Sequence, residues 1–328
     1  MAIVVGDVGG TKTLLAVAEA VGGQVRFGRQ ERYRSDEFDG LGAMVRAFLA
    51  RGKNEEIDRA CFAVAAPVLG ESASGPNMPW GVHRASLIED TGIARVEVIN
   101  DFYAVGRGIP HLGRDDLSIL QEGRREERGP IAVLGAGTGL GAALLLWCGD
   151  AYQVHPTEGG HADFAPRNAL EWGLLQFLRE KLSGRVSVER VLSGSGLADI
   201  YRYLVEREIV EGEEDVLAAM EREDPAAVVS GRALAGKSEG CERALDLFIS
   251  LYGAEAGNMA LRVLATGGVY VAGGIAPRIA ERMAAGGFLR SFTGKGRFAS
   301  FLEGVPVSLI SSPRAPLIGA AAHIVPAL

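Results

Sequence analysis

Three glycine-rich turns and a handful of carboxylates are the residues with chemistry to offer. The first turn follows an apolar run: AIVVG leads into GDVGGTK, so Gly6, Asp7, Val8, Gly9, Gly10, Thr11 and Lys12 form one candidate ligand loop. The second is LGAGTGLG, with Gly137 and Thr138 at its tip, and the third is VAGGIAP, with Gly273 and Gly274. Glycine leaves backbone N–H groups unobstructed and accepts the backbone angles at which several of them converge on one phosphate. The spacing nevertheless fits neither common phosphate motif. The P-loop pattern needs Gly where Thr11 stands, and the dinucleotide fingerprint needs Gly where Leu140 stands. Nucleotide binding on some other α/β scaffold is the expectation.

The carboxylates extend that reading. Asp7 ends an apolar strand directly before the first turn, where it could hold a hydrated Mg²⁺ against bound phosphates or cap the turn. Asn100 and Asp101 follow VEVIN and open a helix at FYAVG, a place suited to a helix cap and equally to a site at the carboxyl end of a sheet. The segment TEGGHADFAP sets Glu158, His161 and Asp163 close together. Gly159 and Gly160 argue against a helical metal pair there, and a rigid polar loop suits a polyhydroxylated ligand, whose hydroxyls both donate and accept.

The elements that must carry these groups alternate. CFAVAAPV, VEVIN, VYVAGG and VPVSLI read as short strands; LGAMVRAFLA, LEWGLLQFLREKL, GLADIYRYLVER and the stretch 242–264 read as helices, the last with Leu245, Phe248, Leu251 and Tyr252 on one face. Alternation of this kind means α/β layers. No charge falls between Arg128 and Asp150, but five Gly and Pro residues split that run into two strand-sized pieces around a turn, which is no membrane span. The resulting apolar strand, glycine turn and second strand repeat the shape of the N-terminus about 130 residues later and suggest an internal duplication. Residues 206–223 hold seven Glu and one Asp and read as a solvated helix or loop.

Composition narrows the function classes. At 328 residues, 48% of them hydrophobic, two domains with room for an enzyme are expected. The net charge of −7 argues against a nucleic-acid or anionic-membrane partner. Cys61, Cys148 and Cys241 are far apart and show no zinc spacing, so they read as buried free thiols. Only four apolar residues precede Gly6 without a basic flank, too short for a signal peptide, so a cytoplasmic location is expected.

GDVGGTKT, VINDF, LGAGTGLG, TEGGHADFAP, SVERVLSGSGL and VAGGIAPR, taken in order along nearly the whole chain, resemble the bacterial ATP-dependent glucokinases of the actin/hexokinase-like superfamily. The resemblance implies two ribonuclease H-like domains flanking a central cleft. The first would comprise residues 1–111 with 309–328, closed by a final helix APLIGAAAHIV, and the second residues 112–308. It also implies ATP and Mg²⁺ as cofactors, glucose as substrate and a homodimer. Asp7, acting on Mg²⁺ through water, and the turn from Gly6 to Lys12 would face the phosphates together with Gly137 and Thr138. Gly273 and Gly274 would lie beside the nucleoside. Asn77, Asn100, Asp101, Glu158, His161 and Glu189 would hold the sugar, and Asp101 would be the general base for transfer to O6. Lys12 and Thr13 depart from the Asn and Ala of many members, and Lys12 is expected to point to solvent. A kinase for another hexose and a sugar-independent actin-like ATPase remain the rival readings. A sugar-sensing regulator would need a helix-turn-helix for which there is no room before the first strand.

Overall fold

The computed structural model describes residues 2–52, 56–75 and 78–325. The chain divides into two compact units, one made of Met1–Asp116, Val154–Pro156 and Ser312–Leu328, the other of Leu117–Gln153 and Thr157–Ser311.

The first unit is built on the apolar strand β1 (Ala2–Val8). It pairs antiparallel with β2 (Lys12–Val21), which pairs antiparallel with β3 (Gln24–Arg34). On its other side β1 runs parallel to β4 (Ile57–Val64). Three two-residue strands, β5 (Val68–Leu69), β6 (Ser72–Ala73) and β7 (Val82–His83), form a small separate sheet. Parallel to β4 lies β8 (Arg95–Asn100), giving the order β3-β2-β1-β4-β8.

Alternate residues of a strand point to opposite faces, and a central strand covered on both sides is apolar throughout. Val4 and Val8 accordingly enter a core with Met44, Val45 and Phe48 of α1 (Leu41–Ala50), next to α2 (Arg84–Thr91). Ile3 and Val5 enter a second core with Ala104 of α3 (Asp101–Gly108) and with Leu317 and Ala321, which come from the far end of the chain.

The second unit repeats the plan. Between β9 (Leu117–Gln121) and the helical segments come β10 (Ile131–Ala136), buried throughout, β11 (Leu140–Cys148) and β12 (Ala151–Thr157). The helices are α4 (Ala169–Leu182), α5 (Gly194–Glu206), α6 (Glu214–Arg222), α7 (Pro225–Leu234) and the long α8 (Glu239–Val263). Then follow β13 (Gly268–Ala272), the short α9 (Ala280–Arg282), α10 (Phe288–Thr293) and α11 (Ala299–Glu303), and β14 (Val307–Ile310). The sheet order is β12-β11-β10-β13-β14-β9, with β10 antiparallel to β11 and parallel to β13, and β13 parallel to β14. Strand for strand, β12-β11-β10-β13-β14 matches β3-β2-β1-β4-β8, the internal duplication expected from the two glycine turns, and β9 is an added edge.

The last helix, α12 (Ala315–Ile324), returns to the first unit and crosses α3. The crossing works only with glycine on both helices. A Cβ on Gly319 would lie 1.6 Å from the Ala104 carbonyl oxygen, and one on Gly108 would lie 2.8 Å from that of Ala315. Arg107 donates to the Ala322 carbonyl at 2.9 Å, 215 residues further along the chain.

Two sequence expectations change. The acidic stretch contains the helix α6, anchored by Val216 and Met220 one turn apart, so it is amphipathic and not wholly solvated. Cys61 and Cys241 are buried free thiols, and burial pushes both above the ordinary thiol value. Cys148 is exposed, because it ends β11 where the strand leaves the sheet for a turn.

Candidate active site

In the first unit the glycine turn is the hairpin between β1 and β2. Gly9 N–H donates to the Lys12 carbonyl at 3.1 Å, closing the turn. Ser35, fully buried after β3, then fastens it. Its N–H donates to the Thr11 carbonyl at 3.0 Å and its hydroxyl to that of Gly9 at 2.7 Å, while the buried Thr13 hydroxyl lies 3.1 Å from the same Oγ. Trp80 completes the set, its indole N–H donating to the Ser35 carbonyl at 3.1 Å. Thr11 and Lys12 stay exposed and Gly9 and Gly10 half-exposed, so the turn is held from behind and open in front.

The step from β8 into α3 sets the carboxylate. Asn100 is the N-cap of α3: its Oδ1 accepts from Tyr103 N–H at 3.0 Å and its amide donates to Ala66 carbonyl at 3.3 Å and to Asp101 Oδ1 at 3.0 Å. The Phe102 N–H donates to the same oxygen at 2.9 Å. Asp101 is thus oriented by two donors in the first turn of a helix, where the helix dipole favours an anion. Asp7, at the end of β1, feels that charge. Burial first, then the Asp101 carboxylate, push its carboxyl up to about 7, and Arg32 only partly offsets them.

The second unit gathers four segments around the turn between β10 and β11. Gly137 N–H donates to the Gly139 carbonyl at 2.8 Å, and Gly194 N–H, at the start of α5, donates to Gly137 carbonyl at 2.9 Å. Glu189 arrives from a 3₁₀ turn: its Oε2 accepts from Leu140 N–H at 2.9 Å and rests on Gly139, where a Cβ would be only 2.5 Å away. Gly160 lies against Leu140, whose carbonyl oxygen would be 2.3 Å from a Cβ there. The TEGGHADF segment is therefore seated on the glycine turn, and it is a 3₁₀ turn with no α-helix. Glu158 Oε2 lies 3.7 Å from His161 Nε2, and both side chains are exposed. The third glycine pair follows β13. Gly273 takes φ +83°, a Cβ on it would be 2.4 Å from Ala136 carbonyl oxygen, and Ile275 N–H donates to that same oxygen at 3.2 Å.

These arrangements sit at the carboxyl ends of parallel strands in each unit, where α/β sheets present ligands. The glucokinase family model matches residues 4–326. The chain belongs to the glucokinase family. It is 43% identical over 332 residues to the glucokinase of Nostoc punctiforme, with 97% of each chain covered. To that of Yersinia enterocolitica it is 40% identical over 321 residues, covering 98% of this chain and 95% of the relative. The crystal structure of a glucokinase from an Antarctic psychrotroph superposes with a TM-score of 0.84 at 31% identity over 98% of both chains. A Streptomyces griseus glucokinase of the ROK family, solved with glucose and AMPPNP, shares the fold at a TM-score of 0.65 and 18% identity, over 98% of both chains. The fold is the two-domain actin/hexokinase-like one, and the chain is a phosphotransferase that phosphorylates glucose with ATP.

Of the residues expected from sequence, the first unit brings together Asp7, the Gly9–Lys12 turn, Asn100 and Asp101. The second brings together Gly137, Thr138, Glu158, His161, Glu189, Gly273 and Gly274. Asn77 lies outside the described residues. The structure adds Ser35 and Thr13 behind the first turn. Thr13 closes GDVGGTKT, where it departs from the Ala of many members and showed no role, and Ser35 carries no motif, only a small hydroxyl in RYRSDEF. Among the described residues no group of three or more His, Cys, Asp or Glu side chains forms a metal cluster, and no helix is long and apolar enough to cross a membrane.

Proposed function

We propose that Asp101 is the general base of the reaction, taking the proton of glucose O6 as that oxygen attacks the γ-phosphorus of ATP. The observation that carries this reading is the double fastening of Asp101 Oδ1 by Asn100 and by the Phe102 N–H beside a second carboxylate, Asp7. Two donors fix the orientation of the carboxylate at the start of α3, and a general base must be held in a defined orientation towards the proton it takes. Asn100, its own amide engaged in the cap, serves the sugar mainly by aiming Asp101. Glu189 spends Oε2 on Leu140 N–H and keeps Oε1 for a sugar hydroxyl, with Glu158, His161 and Asn77 as further partners.

Gly6, Asp7 and Val8 belong to β1; the turns proper, Gly9 to Lys12 and Gly137 with Thr138, whose first N–H groups are spent closing them, receive phosphate oxygens, and Gly273 and Gly274 lie beside the nucleoside. Gly137 and Gly274 support this, since a Cβ on either would meet nothing within 4 Å. The space in front of both glycines is open, which permits the close approach of a ligand. Asp7 and Asp101 lie close enough for the charge of the second to raise the first, and two neighbouring carboxylates are a hard oxygen donor set that suits a divalent cation. Asp7 would hold Mg²⁺ through water, and that ion would neutralise charge developing on the transferring phosphoryl group. The fold units serve as the two functional domains. The enzyme acts in the cytoplasm as a homodimer at the entry of glucose into glycolysis.

The test is ADP release from Mg·ATP, without sugar and then with glucose, mannose, fructose, glucosamine and N-acetylglucosamine in turn. Turnover with glucose, abolished by EDTA and by Asp101→Ala, is expected. Undiminished turnover by Asp101→Ala would remove the base from this residue.

A further inference from the structure

Tyr252 is used by nothing so far described. It lies in the middle of α8, fully buried, edge-on to Phe248 and Phe288 at ring separations of 5.9 Å each. By pattern it is a core aromatic. Its hydroxyl, however, is aimed at the sheet: it accepts from Ala136 N–H at 2.8 Å and donates to the Ala272 carbonyl at 3.2 Å. Burial pushes its phenol above the ordinary tyrosine value, so the hydroxyl keeps its proton.

The two partners are the last residues of β10 and β13, neighbouring parallel strands. Ala136 runs directly into Gly137, and Ala272 directly into Gly273. One oxygen therefore bridges the two points from which the phosphate turn and the nucleoside turn depart. The Ala136 carbonyl adds a second tie through Ile275 N–H at 3.2 Å. With Gly273 packed against that same peptide, the two turns share one small rigid frame.

We infer that Tyr252 is a positioning residue for the nucleotide: its hydroxyl fixes the spacing between the turn that receives phosphate and the turn beside the nucleoside, so that one ligand meets both at once. The inference rests on the assignment of those turns to ATP. It touches neither glucose nor Asp101, whose fastenings are elsewhere. Removing the hydroxyl should act on the nucleotide and spare the sugar, a split that general loosening of the core would not produce.

The experiment compares steady-state kinetics of the full chain and of Tyr252→Phe, Phe248→Leu and Gly137→Ala, with Mg·ATP and glucose varied separately, well below each melting temperature. Tyr252→Phe removes both hydrogen bonds and should raise KM for Mg·ATP by about three- to tenfold, part of their combined worth, and leave KM for glucose within about twofold. Phe248→Leu should lower the melting temperature without that split. If both variants raise KM for Mg·ATP alike, or if Tyr252→Phe changes it not at all, the positioning role is overturned. Gly137→Ala separates the two levels. Should it raise KM for Mg·ATP while Tyr252→Phe does not, only the positioning role fails; should neither do so, the assignment of the turn to phosphate fails as well. Hydrogen exchange of the Ala136 amide in the unmodified protein is independent of any variant's folding. Exchange there should slow further when Mg·AMPPNP binds, and an unchanged rate would also overturn the inference.

Discussion

The two glycine turns grow from sheets of the same strand order, yet they are fastened by different means. In the first unit the hairpin is held by a small buried hydroxyl pair, Ser35 and Thr13, that reaches the turn through its carbonyls. In the second the turn is held by large side chains from distant elements: a tyrosine beneath the strands and a glutamate, Glu189, against Gly139. The difference follows from what each turn adjoins. The first lies next to a carboxylate pair, where the protein needs room and N–H groups turned outward. The second is covered by the loop that carries Glu158 and His161, so the Glu189 fastening at Gly139 and Leu140 lies directly beneath that loop. Duplication supplied the scaffold, and the side chains behind the turns record the division of labour.

The sharpest way to break this comparison is at the carboxylate. Asp101→Ala should lower kcat by roughly 10²- to 10⁴-fold with a much smaller change in KM for glucose, measured by coupled ADP release. Next comes the seat of the sugar segment: Gly139→Ala places a Cβ 2.5 Å from Glu189 Oε2, and displacing that carboxylate should raise KM for glucose by about tenfold, the worth of a charged hydrogen bond. A corresponding rise in KM for Mg·ATP, with glucose unaffected, would mean that Glu189 serves the turn alone. On the other side, Ser35→Ala leaves the Thr13 hydroxyl buried without its partner and should cost about 1–3 kcal/mol of stability, read by chemical denaturation, with KM for Mg·ATP rising and KM for glucose steady.

The smallest effect is a pH signature confined to the first unit. Asp7 has a folded value of about 7 against an ordinary 3.8, so the folded state favours its neutral form. The stability that this gives is fully present below the unfolded value and is lost as pH rises towards 7. Asp7→Asn should therefore raise the melting temperature by a few degrees above pH 7 and much less at pH 4, while reducing activity. Binding of Mg·ATP at pH 6.5 should release protons from Asp7, and at pH 8.5 should release none from it; calorimetry in buffers of different ionisation enthalpy distinguishes the two.

Much of this was legible in sequence, for identifiable reasons. The helix α1 coincides with LGAMVRAFLA because its apolar spacing has the helical period and Gly40 precedes it. Asp101 was readable because the strand-like piece VEVIN ends at a capping Asn that opens a helix, and that combination marks the carboxyl edge of a sheet. Less was legible where a contact joins residues distant in sequence. Glu189 and Gly139 are linked only through the folded turn, and Ser35 is one hydroxyl in a charged stretch. Tyr252 sits on an apolar helix face that reads as core; its ring is core, and only the direction of its hydroxyl, set by the packing of α8 under β10 and β13, distinguishes it. The exposed Cys148 was misread because the apolar run before it says nothing of where the strand leaves the sheet.

The crossing of α3 and α12 has a consequence for biosynthesis. The helix that presents Asp101 emerges from the ribosome about two hundred residues before the helix that packs on it. At elongation rates of about 5–20 residues per second, Ile3, Val5 and Ala104 wait on the order of tens of seconds for Leu317 and Ala321. During that interval the first unit remains partly open on one face; the core of the second unit is itself completed only by Val307 and Leu309, shortly before α12. The nascent chain therefore completes last the apolar face behind α3, the helix that begins at Asp101.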